Sequence, residues 1–578
     1  MKQLPRISSI RLFCVLLFMA GCTLALVARI GYLQIVDHDE FVQQADESHW
    51  SRESIYAQRG TIKDRDGNPL AIALTKWEVS LNPGQLTTDA LRGRAFAAVA
   101  EATGISPQEI KQKLDAAKDR SVIITNNLEY ERGKSLVSQG ITGLVAEKRV
   151  QRTYPEGNLA AALLGFLGRD GSGLTGIEAD YERELAGAPG SLVFERDSIG
   201  NPIPLGYQSS TPPQPGGDLA LTIDRYIQRV VERELDAAIK KHQADGGTVI
   251  VMEPQTGAIL AMASRPTFDL QNLALNDPKA MQFFRNRAIT DLYEPGSTFK
   301  LITMSSAINE GLVTPDTTYF DGGPAIKYGR AIDTWDHSHW GKETMTELLI
   351  HSNNVGAVWV SDQLGPDRFY QNVQRFGFGQ PTQLGLSGEA SGVMRTPKDT
   401  DWSPIDLATN AFGQGITMTP LQLATAVSAI VNGGILMRPY LVNRTEGTEG
   451  IRQFKPVAVR QVISPETSRT MRMMMKDVIE KSSVTTAMVP GFHVGGKTGT
   501  ATVPTSAGTY AIDATIASIV GFVPYESPRA VILVKIDNPK DSPWGSQVAS
   551  PVFSTVAREL LVYWRVPPSD GVRVAKIP

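Results

Sequence analysis

The stretch Val249-Ile-Val-Met-Glu-Pro-Gln-Thr-Gly-Ala-Ile-Leu-Ala-Met262 decides the fold. Val249 to Met252 and Ala258 to Met262 are apolar runs of strand length, and Glu253-Pro-Gln-Thr-Gly257 between them is a turn signal. The same pattern returns far downstream, where Ile519 to Val523 and Ala530 to Ile536 flank Tyr525-Glu-Ser-Pro528. Strand pairs closed by short turns pair antiparallel. The region between them, about Ser297 to Val431, reads as helical and must cover the sheet that the two hairpins build. The expected architecture is therefore mixed, α+β, with strands supplied from both ends of one domain.

Upstream of the first hairpin, Asp218-Leu-Ala-Leu-Thr-Ile-Asp224 alternates like a strand and leads into a helical pattern from Arg225 to Lys241. Before it, Thr211-Pro-Pro-Gln-Pro-Gly-Gly217 is the best linker in the chain. Further upstream the sequence is polar, with helical spacing in stretches such as Ala90 to Thr103. No internal repeat, coiled-coil heptad or long low-complexity tract interrupts it.

At 578 residues the chain exceeds one ordinary core. The formal charge of -3 is no polyelectrolyte signal, so nucleic acid is not an expected partner. Both cysteines, Cys14 and Cys22, lie in the apolar N-terminal segment, which excludes a disulfide framework or cysteine metal site elsewhere. Leu12 to Ala28 holds no charge and is bracketed by Arg11 and Arg29. With the apolar residues through Ile35 it is long enough to span a bilayer. Lys2, Arg6 and Arg11 precede it, and the positive-inside rule then keeps residues 1–11 as a cytoplasmic stub, makes 12–36 the anchor and sends the rest outside. A cleaved signal peptide and lipidation at Cys22, within Met19-Ala-Gly-Cys22, are the competing uses of this segment.

Three short motifs follow the linker in order: Ser297-Thr-Phe-Lys300, Ser352-Asn-Asn354 and Lys497-Thr-Gly-Thr500. Each alone is weak, and a Ser-x-x-Lys match is more often a solvated helix face. The conjunction is strong. Glu294-Pro-Gly296 precedes Ser297, and Thr298 to Asn309 reads as a helix. Ser297 is thus expected at a helix N-terminus, where unpaired N–H groups favour developing negative charge. Lys300, three residues on, shares its face. An amine in an apolar site beside another cation loses basicity and can take the serine proton. Ser352 offers a hydroxyl for proton transfer to a leaving amine, and Asn354 an amide to hold a substrate backbone. Lys497, Thr498 and Thr500, with Gly499 between, present a cation and hydroxyls suited to a carboxylate from an edge strand. The backbone N–H groups of Ser297 and Thr500 suit an oxyanion. In the competing structural reading, Ser352 and Asn354 cap a helix through Val355 to Leu364, and Lys497 guards a strand edge.

On these motifs the chain resembles a class B penicillin-binding protein, the monofunctional transpeptidase type. Arg59-Gly-Thr-Ile-Lys-Asp-Arg-Asp-Gly-Asn-Pro-Leu-Ala71, Arg152-Thr-Tyr-Pro155 and Gly176-Ile-Glu178 resemble its pedestal motifs. Gly413-Gln-Gly415, Thr419-Pro-Leu-Gln-Leu-Ala424 and Gly521-Phe-Val-Pro524 resemble its catalytic signatures. The resemblance implies a pedestal over 37–215 and a transpeptidase domain over 216–578, built on a five-stranded antiparallel sheet between helices. It implies an acyl-enzyme on Ser297 formed from the D-Ala-D-Ala end of a peptidoglycan stem peptide, with a neighbouring stem on a nascent glycan strand as acceptor, β-lactams as inhibitors and no cofactor. By the same analogy the anchor meets a multi-span lipid II glycosyltransferase of the shape, elongation, division and sporulation type.

A β-lactamase or carboxypeptidase would use the same serine and lysine, but no Glu-x-x-Leu-Asn follows Ser352 and the N-terminal region is superfluous for one. A sensor or a dead scaffold is the non-catalytic alternative, disfavoured by the intact motifs. Ser352-Asn-Asn-Val355 resembles the septal type rather than the elongation type, which often carries aspartate at the third position and a zinc site. Leu349 stands where a cysteine ligand of that site is expected, so Asp333, Asp336, His337 and His339 read as a solvated loop with no metal. Arg59, Asp64 and Arg65 read as members of buried or half-buried ion pairs.

Overall fold

The computed structural model describes residues 9–116, 121–168, 170–197, 203, 206–275, 277–448, 450–482, 484–504 and 510–569. The chain divides into two compact units. One comprises the residues up to Gln58 with Gly187–Pro215, the other Arg59–Ala186 with Gly216 onward.

In the first unit, the helix Ser9–Gly31 runs on through the wider turn Tyr32–Val36 and is followed by the helix His38–His49. Residues Ser9–Val36 are long and apolar enough to cross a membrane. None of Ser9–Gly31 is buried against protein. The helix begins three residues before the expected anchor of 12–36, and residues 1–8 of the expected stub lie outside the described residues. A three-stranded antiparallel sheet of Trp50–Ile55, Gly190–Glu195 and Gln208–Thr211 completes this unit.

Compactness therefore divides the chain differently from the expected 37–215 and 216–578. The reason is a shared sheet: the short strand Ile62–Lys63 pairs in parallel with Asp218–Leu221, Ile62 opposite Leu219. Both belong to a seven-stranded sheet that also holds Pro69–Leu81, Val122–Leu128 and Leu144–Thr153. Three helices, Asp89–Thr103, Pro107–Asp115 and Tyr130–Ser138, close a small core around Val79, Leu81, Val99 and Ile110. Where this segment meets the rest of the unit, Glu178 is fully buried. It accepts from Arg59 Nε at 2.7 Å and from Arg152 Nε at 2.6 Å. Arg59 thus forms a buried ion pair, as read from sequence, with Glu178 and Glu182 as its partners. Asp64 instead caps a turn by accepting from the backbone N–H groups of Asp66 and Asn68.

The five-stranded sheet runs in the spatial order Ile259–Arg265, Gly246–Met252, Ala530–Asp537, Tyr510–Val523, Gly495–Pro504, antiparallel throughout. Both expected hairpins are present. Every residue of Gly246–Met252 is buried, because the sheet is covered on both faces. Val249 and Val251 point to one layer, with the helices Arg225–His242 and Gly545–Tyr563. Ile250 and Met252 point to the other, with Lys300–Asn309, Asn354–Arg375, Pro420–Val431 and Pro465–Lys481. Alternation is invisible in such a strand because water reaches neither face.

Local chemistry fixes the helix ends. Asp224 accepts from Tyr226 and Ile227 N–H at 3.0 and 3.2 Å, ending the strand-like run early and starting the helix Arg225–His242. Thr419 and Gln422 form a capping box with Pro420 at the first helical position, and all of Pro420–Val431 is buried at the centre of the helical layer.

Candidate active site

Ser297 lies in a tight helical turn, Gly296–Phe299, that leads directly into the helix Lys300–Asn309. The expected helix is therefore present, with its first turn overwound. Gly296 makes the entry possible. Its φ is +56°, and a Cβ there would stand 2.8 Å from the carbonyl oxygen of Thr500. Gly499 is the matching position on the strand Gly495–Pro504, where a Cβ would come within 2.8 Å of the Pro295 oxygen. Backbone thus packs on backbone between the serine turn and the strand of Lys497.

Lys300 is 1% exposed and its Nζ is 3.0 Å from Ser297 Oγ. The same nitrogen is 2.5 Å from Ser352 O, 2.7 Å from Asn354 Oδ1 and 3.3 Å from Ser352 Oγ. Burial first, and the charge of Lys497 second, push its pKa well below the ordinary lysine range. A neutral amine has two N–H donors and one lone pair. Ser352 O and Asn354 Oδ1 take the donors at the shortest distances, which leaves the lone pair for the Ser297 hydroxyl.

Lys497 is 2% exposed, so it does not guard the strand edge against solvent. Its Nζ donates to Ser352 Oγ at 2.9 Å and to Thr498 O at 3.2 Å. Burial brings its pKa down to about 7. Burial and the charge of Lys497 both lower Lys300, whereas Lys497 is lowered by burial alone, so the second cation weighs on Lys300 in particular.

Ser352 occupies the left-handed region, φ 57° and ψ 40°, at the end of the helix Met345–His351. The capping role open to Ser352 and Asn354 falls to Asn353, whose Oδ1 accepts from Gly356 N–H at 3.1 Å. Asn354 Nδ2 donates to Asp333 O at 2.9 Å. Thr500 Oγ1 accepts from Gly545 N–H at 3.3 Å. Ser297, Lys300, Ser352, Asn354 and Lys497 therefore form one hydrogen-bonded cluster, with Thr498, Gly499 and Thr500 along the adjoining strand.

In the loop read as solvated, the acidic and imidazole side chains pair with one another and with backbone. His337 meets Asp333 at 2.7 Å, His339 meets Asp321 at 3.4 Å, and Asp336 turns back on Ser338. Among the described residues no three His, Cys, Asp or Glu side chains converge as metal ligands. Sequence reading missed two features here. Trp335 and Trp544 meet with ring centroids 4.7 Å apart, beside Asp333 and Gly545 respectively. Asn353 is wholly buried. Neither follows a local pattern, since each depends on elements far apart in sequence.

A serine held against a buried lysine of lowered basicity, with a second hydroxyl between two amines, is the centre of a serine enzyme that transfers acyl groups. The family of penicillin-binding-protein transpeptidase domains matches residues 247–558, and that of penicillin-binding-protein dimerisation domains matches 54–221. Stage V sporulation protein D of Bacillus subtilis is 34% identical over 576 residues, covering 98% of this chain and 86% of that protein. Peptidoglycan D,D-transpeptidase FtsI of Escherichia coli is 30% identical over 565 residues, covering 96% and 91%. Among solved structures, penicillin-binding protein 3 of Mycobacterium tuberculosis complexed with aztreonam superposes with a TM-score of 0.69 at 26% identity, over 89% of this chain and 98% of that one. Penicillin-binding protein 2X of Streptococcus thermophilus gives 0.74 at 26%, over 89% and 80%. The chain belongs to the class B penicillin-binding proteins, a family of serine D,D-transpeptidases.

Proposed function

We propose that this chain cross-links peptidoglycan through an acyl-enzyme on Ser297, in septal wall synthesis, from a single membrane anchor with its catalytic body outside the cytoplasmic membrane. The observation that carries the chemistry is the 3.0 Å approach of Lys300 Nζ to Ser297 Oγ, with that nitrogen's donors occupied elsewhere. Lys300 takes the hydroxyl proton as Oγ attacks the carbonyl of the penultimate D-alanine. The backbone N–H groups of Ser297 and Thr500 receive the oxyanion. Ser352 Oγ, between the two amines, passes a proton to the departing nitrogen, so the C–N bond breaks and D-alanine leaves. The amine of a second stem then attacks the ester, its surplus proton returning by the same route to Ser297 Oγ. Lys497, Thr498 and Thr500 hold the terminal carboxylate, and the Asn354 amide, already fixed by Lys300 and Asp333, steadies the peptide. β-Lactams enter the same cycle and stop at the ester.

The Asn354 amide and Leu349 support the septal role. The basic residues before the anchor support a cytoplasmic N-terminus, and the wholly unburied helix Ser9–Gly31 supports packing on a multi-span glycosyltransferase. Full-length chain in detergent, given a pentapeptide stem and an acceptor amine, is expected to release D-alanine and form the cross-linked product. Ser297→Ala should form neither, and equal turnover by that variant would refute the mechanism. Depletion in cells should give undivided filaments. Rounded cells would move the role to elongation.

A further inference from the structure

Asn353 lies between two residues of the proton-transfer cluster and touches none of the groups in it. Its side chain has all four hydrogen-bonding positions filled. Nδ2 donates to Asp321 Oδ2 at 2.7 Å and to Glu343 Oε2 at 2.8 Å. Oδ1 accepts from Thr334 Oγ1 at 3.0 Å and from Gly356 N–H at 3.1 Å. Asp321 and Glu343 are each 2% exposed and stand on the two strands of a small antiparallel ribbon, Thr318–Asp321 with Gly341–Thr344. Two buried carboxylates this close need donors. Glu343 also receives Tyr319 OH and faces His351 Nδ1, both at 2.5 Å. Asp321 also receives Gly323 and Trp340 N–H and faces His339 Nδ1 at 3.4 Å. His339 reaches towards Asp333 at 3.9 Å, and His351 is stacked under Trp340 at 3.7 Å. Among the described residues, Asn353 is the one group that donates to both carboxylates.

The consequence falls on its neighbours. Ser352 holds a left-handed backbone that a non-glycine residue rarely adopts. The preceding helix ends at His351 and the next begins at Asn354, so residue 353 sets where the Ser352 carbonyl and hydroxyl point. We propose that Asn353 is a positioning residue for acyl transfer: it hooks the Ser352–Asn354 corner onto the Asp321–Glu343 carboxylate pair and so aims Ser352 and Asn354 at Lys300 and Lys497. The inference rests on the serine reading above. An amide is required because it gives two donors to the carboxylates and two acceptor positions to the corner. Aspartate has the shape but places a third carboxylate in the cluster.

The test is the rate of acylation of full-length chain in detergent by a fluorescent penicillin, wild type against Asn353→Asp, from pH 6 to pH 8.5, with melting temperatures in the same buffers. Dividing variant by wild-type rate at each pH removes the titration of Lys300 and Lys497. With Asp321, Glu343, Asp333, Tyr319, His339 and His351 as the facing groups, the added carboxylate restores the hook only when a proton is bound among the acids. The ratio is therefore expected to lie about tenfold or more below one at pH 8.5 and to rise as pH falls. A ratio near one, or a reduction that does not vary with pH, would overturn the proposal. If Asn353→Asp shows no cooperative melting, Thr334→Val decides, because it deletes one of the four bonds at nearly constant volume. About fivefold slower acylation at unchanged melting temperature supports the hook, and a wild-type rate overturns it. A wild type that takes no label would overturn the serine reading itself, a result distinguishable from failure of the hook alone.

Discussion

Replacing Lys497 by methionine, which fits its nearly closed site, should change the shape of the pH profile of acylation as well as its height. The magnitude follows from Ser352 Oγ, which lies 3.3 Å from the Lys300 nitrogen and 2.9 Å from that of Lys497. The two amines are therefore no more than about 6 Å apart. With an effective dielectric of about 20, two positive charges at that distance repel by about 3 kcal/mol, which favours the neutral form of Lys300. In the wild type, acylation falls on the acid side as Lys300 gains its proton and on the alkaline side as Lys497, at about 7, loses the charge that holds a carboxylate. In Lys497→Met the Lys300 limb should move to higher pH, the alkaline limb should vanish, and the maximum should fall about ten- to a hundredfold. The assay is the second-order rate of labelling by fluorescent penicillin between pH 5.5 and pH 10. A profile of unchanged shape, lowered by one factor at every pH, would refute the electrostatic coupling.

The same substitution should stabilise the protein. Lys497 binds a proton at about 7 when folded against about 10.5 when unfolded, so between those values the unfolded chain holds more protons and wild-type stability falls as pH is lowered. The advantage of Lys497→Met in denaturant unfolding should be least above pH 10.5, grow as pH falls and level off below 7, reaching at most about 4 to 5 kcal/mol. Glu178→Gln leaves the buried Arg59 and Arg152 without their shared carboxylate and should cost about 3 to 5 kcal/mol, read as a lower urea midpoint. In Gly499→Ala the new methyl would stand 2.8 Å from both Pro295 O and Ser518 Oγ. The strand must back away from the serine turn, and acylation should slow by about tenfold to a hundredfold while melting changes little.

Much of the catalytic body was legible because its signals are local. The turn between Val249 and Met262 announces an antiparallel pair, Asp224 and the Thr419–Gln422 box announce helix starts, and Ser297 and Lys300 share a helix face at fixed spacing. What was not legible depends on pairing across long separations. That Ile62 pairs with Leu219, and so draws residues 59–186 into the body of the catalytic unit, leaves no mark on either short strand. The partner of Arg59 is 119 positions away at Glu178, and nothing local to Arg59 marks it. Asn353 stands between two functional residues, and its partners, Asp321 and Glu343, are brought to it only by the fold.

Ser297, activated by Lys300, is the residue proposed to carry the acyl group. The most direct test of that role is the mass of the intact full-length chain after brief exposure to benzylpenicillin, followed by peptide mapping, for the wild type, Ser297→Ala and Lys300→Ala. One adduct of the whole drug mass is expected on Ser297, persisting for hours in the wild type and absent from both variants. An adduct on another residue, one that survives in Ser297→Ala, or one lost within seconds by hydrolysis would contradict it.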